Sequence, residues 1–173
     1  MNTLEIKRYL ESNEATRGVF LNVYALDQLP KTKLVRERWL LVCNCCPANR
    51  EGEHWIAMFY ENGMLEFFDS FGLSPKRYDR GEDDRISMFM RAQEPPKGVV
   101  FNNERLQSYE SDACGHYCIL YAFHRCRGEP FEAIIASLKG LTRDGVVKFI
   151  VSTLLFQEYI VLNKGTLVLS RCL

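Results

Sequence analysis

The chain carries no excess charge of either sign: 22 Lys and Arg balance 22 Asp and Glu in 173 residues. A zero net charge removes the electrostatic ground for nucleic acid or an anionic membrane as the main partner. No apolar run comes near the roughly eighteen residues needed to span a bilayer. The segment Met1–Ser12 holds Glu5, Lys7, Arg8 and Glu11, so it lacks the apolar centre of a secretory signal. These absences lead to the expectation of an intracellular protein with no membrane segment. Internal repeats, low-complexity tracts and breaks in composition are missing too. A single domain over residues 1–173, acting as a monomer, is the simplest organisation.

What is present fits a globular domain with one core: 47% of residues are hydrophobic and 25% charged. Cysteines number seven, odd and without framework spacing, so free thiols in a reducing compartment are expected. The cluster Cys43-Asn44-Cys45-Cys46 lacks the second two-cysteine knuckle of a zinc site. No metal and no cofactor are therefore expected.

Along the chain, residues 3–12 read as a short helix that Thr3 can cap, with Leu4, Ile6, Tyr9 and Leu10 on one side. Gly18 to Pro30 reads as loop with some apolar anchoring, and Arg38 to Asn44 as a buried strand. The clearest local signal is a pair of apolar runs flanking Asn62-Gly63, a dipeptide that tolerates positive φ and favours a tight hairpin. Residues 74–97 read as loop with a short helix around Ile86 to Met90; within them Lys76 to Arg85 alternates in sign, as a solvated loop does. Gly98 to Phe101 reads as a strand. Helices follow at Ala113 to Cys126, Phe131 to Lys139 and Thr142 to Gln157. Strands first and helices after, with one helix buried, predict an α+β fold.

Chemistry enters at Gln107-Ser-Tyr-Glu-Ser-Asp-Ala-Cys114-Gly-His-Tyr-Cys118. Asp112 or Ser111 can cap a helix whose first turn holds Cys114. A thiol there meets the unpaired amides and positive end of the helix dipole, which favour thiolate. Residues Tyr117 to Phe123 are almost wholly apolar, so the helix is expected to be buried and its first residue to lie where core meets solvent. Cys118 and Cys126 read as small core residues, and from residue type alone Cys114 could be one as well.

A thiolate nucleophile needs a base, and the chain has three histidines. His116 lies about 200° around the helix from Cys114, and His124 roughly 15 Å along it. His54 remains by elimination. With a two-residue Asn62-Gly63 loop, His54 falls opposite Phe71 and Asp69 opposite Ile56. That makes His54 and Asp69 diagonal neighbours on one face, about 7–8 Å apart at the backbone. Glu66 falls on the other face, although a loop one residue longer would reverse this choice. An aspartate in that place would fix the tautomer of His54 and stabilise its imidazolium. The hairpin alone is equally compatible with an ordinary polar pair at a strand edge. For a developing oxyanion, the N–H of Cys114 and the side-chain amide of Gln107 are candidate donors, while Gln107 by itself would suit a surface position.

Taken together, these residues resemble the superfamily of adenovirus proteases and ubiquitin-like-protein proteases. Three blocks carry the resemblance: Gly52-Glu-His54-Trp55-Ile-Ala, Phe67-Phe-Asp69-Ser-Phe71-Gly72, and the Gln107 to Cys118 segment. The order His, Asp, Gln, Cys-Gly, with His-Trp adjacent and Gln seven residues before Cys, is specific. The resemblance implies a papain-like cysteine peptidase fold, a small mixed sheet packed against the helix that begins at the nucleophile. It implies Cys114 as nucleophile, His54 as base, Asp69 as its orienter, Gln107 as oxyanion donor and Trp55 as a wall of the site. It further implies a polypeptide substrate cut after small residues, Gly-Gly first among them, and a nucleus or virus-like particle as one setting.

Asp69 departs from the adenovirus branch, which carries glutamate there, and matches the ubiquitin-like-protein branch. The adenovirus branch is activated by DNA and by a peptide disulfide-linked upstream of the glutamine. No cysteine lies between Cys46 and Cys114 here. The expectation is an endopeptidase that processes viral or mobile-element precursors. The alternatives are an isopeptidase for ubiquitin-like modifiers and an inactive copy that binds Gly-Gly tails.

Overall fold

The computed structural model describes residues 1–79, 84–141 and 144–163. It is a mixed α+β fold around a five-stranded sheet in the order β1-β2-β3-β4-β5, with β1 Phe20–Ala25, β2 Arg38–Asn44, β3 Trp55–Glu61, β4 Met64–Phe68 and β5 Val99–Phe101. The three central strands are antiparallel, and β1 and β5 add in parallel at the two edges. The helices are α1 Thr3–Ser12, α2 Arg85–Ala92, α3 Cys114–Cys126, α4 Phe131–Gly140 and α5 Asp144–Asn163.

Both faces of the sheet are covered, which is why β2 and β3 are apolar without alternation. Trp55, Ala57, Phe59 and Phe68 pack with α1, α3, α4 and α5, whereas Ile56, Met58, Leu65 and Phe67 pack with α2 and the Leu26–Leu29 segment. Helix α3 is buried nearly all round, from Tyr117 to Ala122. Each of its larger apolar side chains contributes roughly 1.5–3 kcal/mol by leaving water.

The hairpin has the register read from its turn. Asn62 and Gly63 take φ of 53° and 83°, and the ladder runs from Glu61–Met64 to Ala57–Phe68. A Cβ at Gly63 would also stand 2.9 Å from the Pro96 ring, so the turn needs glycine twice over.

Three local expectations change. Asn2, not Thr3, caps α1, in a reciprocal capping box with Glu5. The stretch read as a loop from Gly18 contains β1, whose pairing with β2 is parallel and shifted between Phe20 and Val23. That partner is remote and the strand buries only Phe20 and Val23, so no local alternation marks it. Pro75–Tyr78 forms a short 3₁₀ turn; the rest of the charged run lies partly outside the described residues. So do Thr142 and Arg143, at the start of the last helix read from the sequence.

Candidate active site

Cys114 is the first residue of α3, behind an N-cap, Ala113, that has no side chain to cap with. The expected caps have other partners: Ser111 Oγ accepts the Ala113 N–H at 3.2 Å, and Asp112 pairs with Lys148. The amides of the first turn are thus left uncapped by side chains. The backbone at Trp55 and Gly115 favours the ionised form of the sulfur.

His54 and Asp69 sit one residue beyond the paired ends of β3 and β4, where the strands stop and side chains can turn towards the end of α3. His54 still continues the sheet through its carbonyl, which accepts Cys45 N–H at 2.9 Å. Its Nε2 lies 2.6 Å from Asp69 Oδ1. A carboxylate only accepts, so the proton is on Nε2 and Nδ1 is left for the thiol. Nδ1 is buried and makes no regular hydrogen bond, yet ring and thiol are near enough for each to shift the ionisation of the other. The contact is looser than a strict hydrogen bond.

The electrostatics follow from these neighbours. Burial pushes the His54 imidazolium down, but the hydrogen bonds and charges of Asp69 and Cys114 outweigh it and raise the group to about 9. Burial likewise opposes ionisation of Cys114, and the hydrogen bond and charge of His54, helped by the Trp55 and Gly115 backbone, bring the thiol below its ordinary value. Cys43, Cys45 and Cys118 move the other way through burial, and Cys126 rises to about 11.

Asp69 is fully buried and saturated. Oδ1 also accepts Phe71 N–H at 3.0 Å, and Oδ2 accepts Leu73 N–H and the Tyr78 hydroxyl, both at 2.8 Å. Asn102 grips its backbone on both sides, accepting Asp69 N–H at 2.9 Å and donating to Asp69 O at 2.6 Å. The His54 ring is stacked by Phe71 at 4.6 Å and by Tyr78 at 6.1 Å between centroids. Neither Tyr78 nor Asn102 carries a signal in the sequence. Tyr78 sits inside the charged run taken for a solvated loop, and Asn102 has no local pattern at all.

Gln107 is buried and does not lie on the surface. Its Oε1 accepts the Ser70 hydroxyl at 2.7 Å, its Nε2 donates to Ser111 O at 2.5 Å, and its own N–H bonds Ser70 O at 2.9 Å. Trp55 Nε1 donates to Met1 O at 3.2 Å. The other two histidines are placed elsewhere. His124 Nδ1 bonds Glu129 at 2.6 Å, and His116 is held low by burial with its Nδ1 unpartnered. Glu66 faces α3, where Tyr121 and Arg125 hold it. Among the described residues no three His, Cys, Asp or Glu side chains are grouped to hold a metal ion, and no helix is long and apolar enough to cross a membrane.

The arrangement is a thiol biased towards thiolate, an imidazole biased towards imidazolium and a buried carboxylate that orients it. Comparison with known proteins agrees in kind. A protein of Acanthamoeba polyphaga mimivirus named as a thiol protease is 27% identical over 88 residues, half of this chain and 29% of its own length. The protease of Bovine adenovirus C serotype 10 is 35% identical over 96 residues, 49% of each chain. The chain thus matches less than half the length of either relative. The crystal structure of an ASFV protease superposes with a TM-score of 0.58 over 78% of this chain and 60% of the other; at 17% identity it supports the fold alone. The model of the adenovirus endoprotease family matches residues 20–162, and the chain belongs to that family.

Proposed function

We propose that the chain is a cysteine endopeptidase in which Cys114 attacks, His54 transfers protons, Asp69 orients His54 and Gln107 helps to bind the oxyanion. The single observation that carries this is that His54 Nε2 is held 2.6 Å from the buried Asp69 carboxylate. Against burial, Asp69 first and Cys114 second raise the imidazole, while His54 lowers the Cys114 thiol at the uncapped start of a buried helix. This opposed pair is consistent with that geometry.

The thiolate of Cys114 adds to a peptide carbonyl carbon, and the oxygen takes the negative charge. The Cys114 N–H and one Gln107 Nε2 hydrogen stabilise that charge as it develops. The His54 imidazolium gives its Nδ1 proton to the leaving amine, and a thioester remains on Cys114. His54, neutral again, takes a proton from water as the hydroxide attacks the thioester, which frees the acid and the thiolate. Through these steps Asp69 holds Nε2–H.

The substrate reading is a precursor polypeptide of a virus or mobile element, cut after small residues with Gly-Gly first. It rests on family membership and on the two viral relatives named as proteases. One observation favours a second reading, removal of ubiquitin-like modifiers: the acid that orients His54 is aspartate, as in that branch. Turnover of a modifier with a Gly-Gly tail against that of a precursor-derived peptide separates the two.

The test is labelling with a thiol-directed Gly-Gly electrophile. Labelling is expected to vanish in Cys114→Ala and to drop steeply in His54→Ala, because thiolate formation needs the imidazole. Labelling of Cys114→Ala at the wild-type level would refute the assignment.

A further inference from the structure

A side-chain amide can serve as an oxyanion donor only if its nitrogen, not its oxygen, faces the reacting carbonyl. The two ends of a glutamine amide have the same shape, so only hydrogen-bond partners distinguish them. For Gln107 those partners are Ser70 and Ser111. Ser70 Oγ donates to Oε1 at 2.7 Å, and its hydrogen has one acceptor there. On the other side Nε2 donates to the carbonyl of Ser111, on the turn that leads into α3. A flipped amide would set its oxygen against the Ser111 carbonyl, acceptor against acceptor, so the Ser111 carbonyl selects the orientation and the Ser70 hydroxyl then anchors Oε1.

We infer that Ser70 is a positioning residue for oxyanion binding, because its hydroxyl anchors the Oε1 end of the Gln107 amide whose orientation the Ser111 carbonyl selects. The inference rests on the peptidase reading above and deepens it. Three features support it. Ser70 is fully buried, so no water competes for its hydroxyl. It follows Asp69 directly, so its backbone is held by the same Asn102 clamp that holds the acid. Its carbonyl also accepts the N–H groups of Leu106 and Gln107, at 2.8 and 2.9 Å, which mounts both the main chain and the side chain of Gln107 on one residue. With one Nε2 hydrogen committed to Ser111, the second remains for a substrate oxygen, since an amide nitrogen carries two. Asp69 and Ser70 thus serve the two halves of the reaction from adjacent positions: one orients the base and the other anchors the donor.

The experiment separates thiolate formation from oxyanion binding. Iodoacetamide alkylates a thiolate without forming an oxyanion, whereas amide hydrolysis and binding of a peptide aldehyde both need one. Wild type, Ser70→Ala, Ser70→Thr and Gln107→Ala are compared with iodoacetamide, a Gly-Gly-aminomethylcoumarin peptide and a Gly-glycinal peptide, with Tm recorded for each. Expected for Ser70→Ala is an unchanged alkylation rate at Cys114, an unchanged KM, and kcat and aldehyde affinity each lower by roughly tenfold. That is less than the roughly hundredfold expected on losing the donor outright in Gln107→Ala. Ser70→Thr, which keeps the hydroxyl, should recover most of kcat.

Two results overturn the inference: wild-type kcat and aldehyde affinity in Ser70→Ala, or an alkylation rate that falls in step with kcat. The second would mean that Ser70 acts through Asp69 and His54. If Ser70→Ala is too unstable to assay, the Ser70→Cys variant, a much weaker donor of similar size, must show the same split. Wild-type turnover that does not depend on Cys114 would refute the peptidase reading itself, and is read out separately from any effect of Ser70.

Discussion

Two buried polar clusters tie α3 to the β3–β4 hairpin, one at each end of the helix, and they are built on opposite plans. At the C-terminal end Arg125 Nε reaches both oxygens of Glu66 at 3.0 and 2.9 Å, and its terminal nitrogen reaches Glu61 at 3.0 Å. Tyr121 adds a hydroxyl to Glu66 at 2.7 Å, and the guanidinium stands 4.4 Å from the Phe59 ring centroid. Arg38 lies 2.7 Å from the other oxygen of Glu61, so two guanidinium groups face two carboxylates there. At the N-terminal end the carboxylate of Asp69 is just as saturated, but the chain of bonds stops at His54 Nδ1, which has only the loose contact with Cys114. The first cluster holds the helix in place. The second leaves one proton position incomplete, at Nδ1 of His54 beside Cys114.

The largest expected effect tests that contrast directly. Cys114→Ala should reduce peptide turnover by on the order of 10⁴-fold or more while leaving the urea midpoint close to that of wild type, since only the sulfur is lost and the Asp69 contacts of His54 stay. A large fall in stability would mean that Cys114 is part of the clamp. Arg125→Met should do the reverse. It leaves Glu66 buried without its main partner, and burial already pushes that carboxyl up against the pull of Tyr121 and Arg125. The expected cost is roughly 3–5 kcal/mol in urea unfolding, with the activity of the folded fraction retained. Replacing both partners, Glu66→Gln with Arg125→Met, should cost less than Arg125→Met alone. If the double replacement were the worse of the two, the cluster would not be an ion pair in the energetic sense.

The pH profile sharpens the comparison at the N-terminal end. The reactive form needs thiolate and imidazolium together, so kcat/KM should rise on an acid limb below the ordinary thiol range and fall on a basic limb near pH 9. Stability follows the same shifts with opposite signs. His54 is raised, so its contribution is full below its ordinary value of 6.5 and is lost as pH rises through about 9. Cys114 is lowered, so its contribution is present above 9.0 and is lost as pH falls through its depressed value. Between these limits one group gains on folding the proton the other loses, and the pair adds little slope to stability. His54→Ala should therefore raise the pH at which iodoacetamide alkylates Cys114. An unshifted alkylation profile would show that the imidazole does not set the thiol.

How far the sequence carries can be read from individual residues. Asn62-Gly63 determines a turn, the turn determines a register, and the register puts His54 beside Asp69; every step is local or nearest-neighbour. Cys114 is legible because an apolar helix has to start somewhere and its first turn has a known polarity. Gln107 is legible only through the family spacing, since its burial depends on Ser70 and Ser111 closing around it. Strand β1 and Asn102 are not legible. A parallel edge strand takes its hydrogen bonds from β2 with no hairpin to announce it, and Asn102 acts by gripping the backbone of a residue 33 positions away. Tyr78 is hidden for another reason: charged neighbours mark its segment as solvated, while its own ring turns inward onto His54.

Tyr78 gives the smallest expected effect and the finest test of the incomplete cluster. Its hydroxyl donates to Asp69 Oδ2 and draws charge to the side of the carboxylate away from His54. Tyr78→Phe keeps the ring and its stacking but removes that donor. The Phe71 and Leu73 N–H groups still hold the carboxylate in place, so orientation should survive and electronics should change. Asp69 then stabilises the imidazolium more strongly. The basic limb should move to higher pH, and kcat should fall by roughly two- to threefold because the proton leaves His54 less readily. Tyr78→Ala, which also removes the stacked ring, should lower kcat further. A basic limb that moves downward in Tyr78→Phe would mean that the hydroxyl supports the His54–Asp69 pair, and that Asp69 is not held by the backbone well enough to do so alone.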